Sequence, residues 1–249
     1  MKPFPQLLKT GKTLWGTLVS LPVPEITEIF ADSGFDWLFI DMEHAPLEPR
    51  DVQRILQAGG ENIAGIIRLP ANDPVWIKKA MDIGPAGIML PLVNTAEDAR
   101  NAVRWSKYPP QGTRSVGVGR VHRYGAELQK VIDTANETTA LVIQVEHITA
   151  VENINAIVEV EGIDAILIGP YDLSASMGIP GKVSDPSVQA AIEKVRVACA
   201  EKHIPLGIFT ASIPYARECA RNGFKLIAVG TDTLMLVESS RRMLAELKG

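Results

Sequence analysis

Two cysteines, Cys199 and Cys219, occur in 249 residues, together with four histidines. That is too few for a disulfide framework, and neither cysteine stands near a metal-ligand cluster, so a stapled secreted fold is excluded and a reducing, cytoplasmic setting is expected. No long run of one charge sign occurs, and the formal net charge is only −4, which argues against nucleic acid or an anionic membrane as partner. No apolar stretch approaches a membrane span, and the opening Met1-Lys2-Pro3-Phe4-Pro5 lacks the apolar run of a signal peptide. Phosphate-cradling signatures such as GxxxxGK[ST] or GxGxxG are absent after any strand. No Pro/Gly/Ser-rich linker, low-complexity tract or composition shift marks a domain boundary.

What is present is apolar, β-rich runs alternating with segments of helical period. Strands are predicted over 13–19, 36–41, 63–69, 87–90, 141–146, 165–168, 206–209 and 226–229. Helices are predicted over 24–33, 48–58, 74–83 and 95–106, with long helices flanking the seventh strand and ending the chain. The strands are apolar almost throughout, as parallel strands buried on both faces must be. Eight such units in a chain with 46% hydrophobic residues predict an α/β fold, a (β/α)8 TIM barrel forming one domain over 1–249. A doubly wound open sheet is the competing architecture. Residues 108–136 read as an irregular stretch, of the kind that serves as a functional loop or an oligomer contact.

The unit at 141–177 organises the rest. Its first strand leads to Gln144 and Glu146, and its second to Gly169-Pro170-Tyr171-Asp172. Parallel neighbours deliver both exits to the same edge of the sheet, where a barrel keeps its active site. Glu146 and Asp172 could meet there, and two hard oxygen donors suit a divalent cation. Glu146 could equally be ion-paired in the barrel mouth, and Asp172 could cap a helix. Gly169-Pro170 also opens backbone N–H groups at a helix start to an anion such as a substrate carboxylate. Gln144 shares the face of Glu146, whereas His147 points the other way and reads as structural.

Two other strands contribute. The second exits into Asp41-Met42-Glu43-His44-Ala45-Pro46, where Asp41 or Glu43 could hold the His44 imidazole and make it a general base. The third exits into Arg68, which could bind a carboxylate, steady an oxyanion, or simply form a salt bridge in the rim. No lysine projects into the mouth, so a Schiff-base mechanism has no nucleophile. Zinc would ask for more His or Cys than converge here.

At these residues the chain resembles the metal-dependent (class II) pyruvate aldolases of HpcH/HpaI type, which act on 2-keto-3-deoxy sugar acids and 4-hydroxy-2-oxo acids. The likeness lies in Phe35-Asp36-Trp37-Leu38-Phe39-Ile40-Asp41-Met42-Glu43-His44-Ala45-Pro46, in Tyr108-Pro109-Pro110-Gln111-Gly112-Thr113-Arg114, in Gln144-Val145-Glu146, and in Gly169-Pro170-Tyr171-Asp172-Leu173-Ser174. The resemblance implies a barrel of the phosphoenolpyruvate/pyruvate type, commonly a homohexamer, that cleaves a 4-hydroxy-2-oxo acid to pyruvate and an aldehyde.

It further implies Mg²⁺, Mn²⁺ or Co²⁺ on Glu146 and Asp172, and Arg68 and Gln144 against the substrate. His44 with Asp41 matches the acid/base pair, and the backbone at Gly169, Tyr171 and Asp172 the carboxylate site. Tyr171 stands where a small residue is usual in the family, and Ser115 where glycine is common. Specificity for the distal end of the substrate is expected in residues 114–124 and around Ile213-Pro214, with groups from another subunit, and the final helix is expected to pack on a neighbour. The rival expectations are a CoA-dependent or oxo-acid lyase or decarboxylase using the same site, and a non-catalytic barrel that binds an oxo acid.

Overall fold

In the computed structural model, which describes residues 3–249, eight strands follow one another around a closed barrel. They are β1 (Leu14–Val19), β2 (Trp37–Asp41), β3 (Ala64–Arg68), β4 (Gly87–Leu90), β5 (Ala140–Val145), β6 (Ala165–Ile168), β7 (Leu206–Thr210) and β8 (Leu226–Thr231). Every neighbouring pair is parallel, and β8 closes on β1. The fold is therefore the (β/α)8 barrel and not the open sheet. The helices are α1 (Phe4–Leu8), α2 (Pro24–Asp32), α3 (Pro49–Gly59), α4 (Pro74–Ile83), α5 (Ala96–Ser106), α6 (Leu128–Thr138), α7 (Ile148–Glu152), α8 (Ile154–Ile157), α9 (Pro170–Ser176), α10 (Pro186–Glu201), α11 (Ile213–Arg221) and α12 (Asp232–Lys248).

Strand residues of alternate parity separate into two apolar layers. Trp37, Phe39, Ile66, Met89, Val142 and Leu167 fill the barrel interior, while Leu38, Ile40, Ile67, Ile88, Ile143 and Ile166 lie under the helices. Parity of two along a strand is the cause, and it carries through to the polar strand ends. Asp41 shares the side of Phe39, Arg68 that of Ile66, and Gln144 that of Val142, so all three are delivered into the barrel mouth. The register Asp41↔Arg68 puts the first two side by side. At the opposite end, Gly16 leaves room for the Trp37 indole, which an added Cβ would meet at 2.4 Å, and Phe4 of α1 closes against the same ring, 6.4 Å between centroids.

Two segments differ from expectation. Residues 128–136, part of the stretch read as irregular, belong to α6, where Leu128, Val131, Ile132 and Ala135 carry the i, i+3, i+4, i+7 spacing of a helix face. Helix α1 was also not foreseen, being five residues long. The final helix is long as expected, yet residues 236–248 of it are exposed, including Leu236, Val237, Met243, Leu244 and Leu247.

Candidate active site

The Arg68 guanidinium organises the mouth of the barrel. Its Nε and Nη2 donate to Asp41 Oδ1 and Oδ2 at 2.9 and 2.8 Å, the bidentate geometry that a planar fork and a carboxylate share. Nη1 lies 3.1 Å from Glu43 Oε2, close enough for an ion pair but not aligned as a hydrogen bond. The cation also sits over the Phe39 ring, 4.8 Å from its centroid. Arg68 and Asp41 are buried, so the guanidinium is held on three sides and has little freedom to reorient.

Asp41 has a second task. Its Oδ1 accepts the backbone N–H groups of Glu43 and His44, at 2.9 and 3.3 Å, folding the 41–44 turn over the site. The sequence suggested Asp41 or Glu43 as the partner of the His44 imidazole. The structure engages Asp41 with Arg68 and the turn, and the acid nearest the imidazole is Glu43, whose Oε2 is 3.8 Å from His44 Nε2. His44 itself is exposed at the edge of the mouth.

Facing Arg68 across the mouth is Glu146, only 4% exposed. Its Oε1 accepts the backbone N–H of Leu92 at 2.9 Å, and its Oε2 accepts a close hydrogen bond from Gln144 Nε2. Leu92 reaches that position with φ +53°, a left-handed conformation that costs an ordinary L residue about 1–2 kcal/mol. Nothing in the sequence marks Leu92 for this role, because a backbone N–H carries no residue signature. Gly169 completes the wall. A Cβ there would approach Gln144 Nε2 to 3.0 Å and the Glu146 Cβ to 3.1 Å, so the closeness of β5 and β6 at their ends needs glycine.

Burial pushes the Glu146 carboxyl up to about 7, opposed by the Leu92 hydrogen bond, reinforced by the negative charges of Glu43 and Asp172, and opposed by Arg68. Glu43 is also raised, first by burial, with Arg68 working against it and Asp41 and Asp172 adding to it. Asp172 lies exposed in the first turn of α9. It does not cap that helix with its side chain, so its carboxylate remains available to the mouth. His147, by contrast, caps α7, its Nδ1 accepting the Thr149 N–H at 3.2 Å, which accounts for it structurally.

Asp41, Glu43, Glu146 and Asp172 thus stand about one guanidinium, and Gln144 Oε1 is buried without a hydrogen-bond donor. This is a hard-oxygen site short of positive charge and short of donors, and it fits a divalent cation. No group of three His, Cys, Asp or Glu side chains arranged to hold a metal occurs among the described residues. A cavity of about 200 Å³ opens above these groups, lined by His44, Arg68, Gln144, Gly169 and Asp172 on one side and by Leu18, Phe209 and Tyr171 on the other.

Residues 114–124 lie elsewhere. Arg114 Nη2 donates to Asp82 Oδ1 at 2.9 Å and Arg120 Nη1 to the Ile83 carbonyl at 2.8 Å, both at the C-terminal end of α4. That is the N-terminal rim of the barrel, opposite the mouth, so within one chain this segment does not reach the distal end of a substrate. Lys107, the only buried lysine among the described residues, belongs to the same rim. Its Nζ is 3.6 Å from Asp164, which precedes β6, and donates to the Asn136 carbonyl at 3.0 Å.

Comparison with known proteins agrees with this architecture. The family model of the HpcH/HpaI aldolase/citrate lyase proteins matches residues 15–239. The chain is 40% identical to a 2-keto-3-deoxy-L-rhamnonate aldolase of Salmonella gallinarum, over 99% of this chain and 93% of that one. The crystal structure of an HpcH/HpaI aldolase/citrate lyase family protein from Burkholderia cenocepacia superimposes with a TM-score of 0.95 at 33% identity, covering 99% of both chains. An HpcH/HpaI aldolase from Desulfitobacterium hafniense gives 0.91 at 30%, covering all of this chain and 97% of that one.

Proposed function

The chain belongs to the HpcH/HpaI aldolase/citrate lyase family, and on that premise we propose how its own residues perform the cleavage of a 4-hydroxy-2-oxo acid to pyruvate and an aldehyde. It is a carbon–carbon lyase. The substrate we favour is a 2-keto-3-deoxy sugar acid, as in the name of the 40% identical relative. The observation that carries the reading is the clamped Arg68 facing Glu146 and Gln144 across a cavity whose open edge carries His44.

Glu146 and Asp172 would hold a divalent ion, Mg²⁺, Mn²⁺ or Co²⁺. When bound, that ion supplies Lewis-acid polarisation of the 2-oxo group. Arg68 faces the same 2-oxo oxygen. It gains most when that oxygen becomes an enolate, which is the condition for lowering a barrier instead of merely tightening binding. Asp41 and Glu43 keep the guanidinium from following the ground-state ketone. Gln144 and the backbone N–H groups of Tyr171 and Asp172 orient the substrate carboxylate. His44 takes the proton from the C4 hydroxyl, with Glu43 beside it to favour the imidazolium that results. The C3–C4 bond then breaks, the aldehyde departs, and C3 of the pyruvate enolate is protonated.

We further propose one barrel domain over 1–249, a cytoplasmic location, and a homo-oligomer, a hexamer by family likeness. The apolar side chains exposed along α12 support association through that helix, since an amphipathic helix with no neighbour leaves its hydrophobic surface in water.

Proton NMR of pyruvate in D₂O tests the reaction without knowledge of the aldehyde. Loss of the methyl signal with Mg²⁺, Mn²⁺ or Co²⁺, and its persistence with EDTA, is the expected result. Persistence of the signal with every metal would overturn the aldolase reading.

A further inference from the structure

We propose that Asn153 is a positioning residue for the cation site: by holding the 91–95 loop it keeps the Leu92 N–H on Glu146, and so fixes that carboxylate in the orientation that binds a divalent ion. This rests on the reading of Glu146 as a metal ligand above, and it adds a residue outside the cavity lining. Leu92 itself calls for a support. It holds φ +53° although its side chain is 56% exposed, so no packing of the leucine accounts for the conformation. A left-handed residue other than glycine persists where its surroundings over-determine it.

The surroundings of the loop are specific. The Asn94 and Thr95 N–H groups donate to Asp98 Oδ2 at 3.1 and 2.9 Å, as part of the capping box that starts α5. Between them and Leu92, Val93 is fully buried. Asp98 belongs to the helix that the loop enters, so it shapes the loop without setting its distance from β5. Asn153 reaches across that distance. Its Nδ2 donates to the Asn94 carbonyl at 2.9 Å, from the junction of α7 and α8 in the segment leaving β5. The junction is itself pinned by both helices, the Asn153 N–H donating to the Thr149 carbonyl and its carbonyl accepting the Ile157 N–H, each at 3.1 Å.

Two side chains that follow β5 thus grip the backbone of one neighbouring loop. Glu146 accepts from Leu92 and Asn153 donates to Asn94, so the bonds run in opposite senses across the same gap. Without the second bond, the first is left to oppose the strained φ of Leu92 alone. The loop then relaxes, its N–H leaves Glu146 Oε1, and the carboxylate is free to turn. Donors that orient a ligating side chain in this way set metal affinity by about tenfold to a hundredfold. The consequence is confined to binding of the ion, since the groups that face the substrate are untouched.

The test uses the full-length, metal-free protein at about pH 8, where a raised carboxyl is ionised, with Mn²⁺ alone as the probe and the free ion counted by electron paramagnetic resonance. Asn153→Ala is expected to raise the Kd for Mn²⁺ by about tenfold or more. It is also expected to speed hydrogen–deuterium exchange in the peptide spanning 91–95. Pyruvate methyl exchange at saturating Mn²⁺ is expected to stay within about twofold of wild type, because only binding of the ion is weakened. Asn153→Asp keeps the shape and removes the donor. It is expected to raise the Kd as well, although its added negative charge would by itself tighten a cation, and it decides the matter if the alanine variant fails to fold.

Asn136→Ala is the control. At the opposite rim Asn136 Oδ1 accepts the Tyr108 N–H at 2.8 Å and its Nδ2 donates to the Tyr108 carbonyl at 3.0 Å, so its loss disturbs comparable bonds far from the loop. Its Mn²⁺ affinity and its 91–95 exchange are expected to match wild type. An unchanged Kd in both Asn153 variants, or an equal rise in Asn136→Ala, would overturn the role of Asn153 while leaving the cation site intact. Absence of Mn²⁺ binding to the wild type would overturn both.

Discussion

Arg68 and Asp41 are adjacent in register across β2 and β3 and meet through two parallel hydrogen bonds of 2.9 and 2.8 Å. Neither is surface decoration. Both are buried at the mouth, and the guanidinium is aimed by the pair before any substrate arrives.

Replacement of Arg68 by Ala is therefore expected to lower kcat by roughly a hundredfold to a thousandfold, the usual loss for one oxyanion-stabilising donor. It leaves Asp41 and Glu43 without their cation. Asp41→Asn keeps the shape but weakens the clamp, and about a tenfold fall in kcat is expected. The ordering of the two variants, measured at saturating substrate, is the check. An Asp41→Asn enzyme as impaired as Arg68→Ala would give Asp41 a part in the chemistry itself.

Glu146 links pH to cation binding and to stability. Its folded-state value of about 7 lies above the ordinary 4.5. The metal-free fold therefore keeps a proton that the unfolded chain has released. Stability from this group is complete below pH 4.5 and is lost as the pH rises through 7, by roughly 3 kcal/mol at about 1.4 kcal/mol per unit. Denaturant titrations of the metal-free protein are expected to show wild type weakening relative to Glu146→Gln between pH 5 and 8. Mg²⁺ is expected to restore wild type at pH 8 and to bind progressively less tightly below pH 7, where the proton competes. Equal pH profiles for the two proteins would contradict this.

The His44 side chain is exposed and its charged neighbour is Glu43 at 3.8 Å, so His44→Ala is expected to change stability by less than about 0.5 kcal/mol. Cleavage of the 4-hydroxy-2-oxo acid is expected to fall by roughly a hundredfold to ten-thousandfold, as when a general base is removed. Thermal melting read beside steady-state kinetics separates the two effects. A stable variant with full cleavage activity would remove His44 from the mechanism.

The opposite rim holds a second buried titratable group. His122 is fully buried; its Nδ1 accepts the Gly119 N–H at 3.4 Å, leaving Nε2–H to donate to Tyr108 Oη at 3.1 Å. Burial, and then Arg114, hold His122 below the ordinary 6.5. Its contribution to stability is thus present above pH 6.5 and lost as the pH falls through the folded value. Tyr108→Phe is expected to cost about 1 kcal/mol and to leave the pyruvate exchange rate unaltered, since it lies at the far end of the barrel. A change in exchange beyond about twofold would reveal coupling between the two rims.

The sequence by itself determined the barrel, through eight apolar strand-then-helix units, and which polar residues stand at its mouth, through a period of two along each strand. Asp41, Arg68 and Gln144 continue the parity of Phe39, Ile66 and Val142, so once the strands are recognised, their ends must face inward. Phe209 obeys the same parity and was legible in principle, but an apolar residue at a strand end looks like packing.

Other features belonged to the tertiary structure alone. The Leu92 N–H on Glu146 is a backbone group from another strand's loop. The sharing of Asp41 between Arg68 and the 41–44 turn depends on which donors arrive first in space, and sequence proximity had pointed to His44. The segment 114–124 carries motif residues, yet its arginines are drawn to Asp82 and the free carbonyls ending α4. Charge and unsatisfied backbone at that rim, which no linear pattern displays, fixed it far from the mouth.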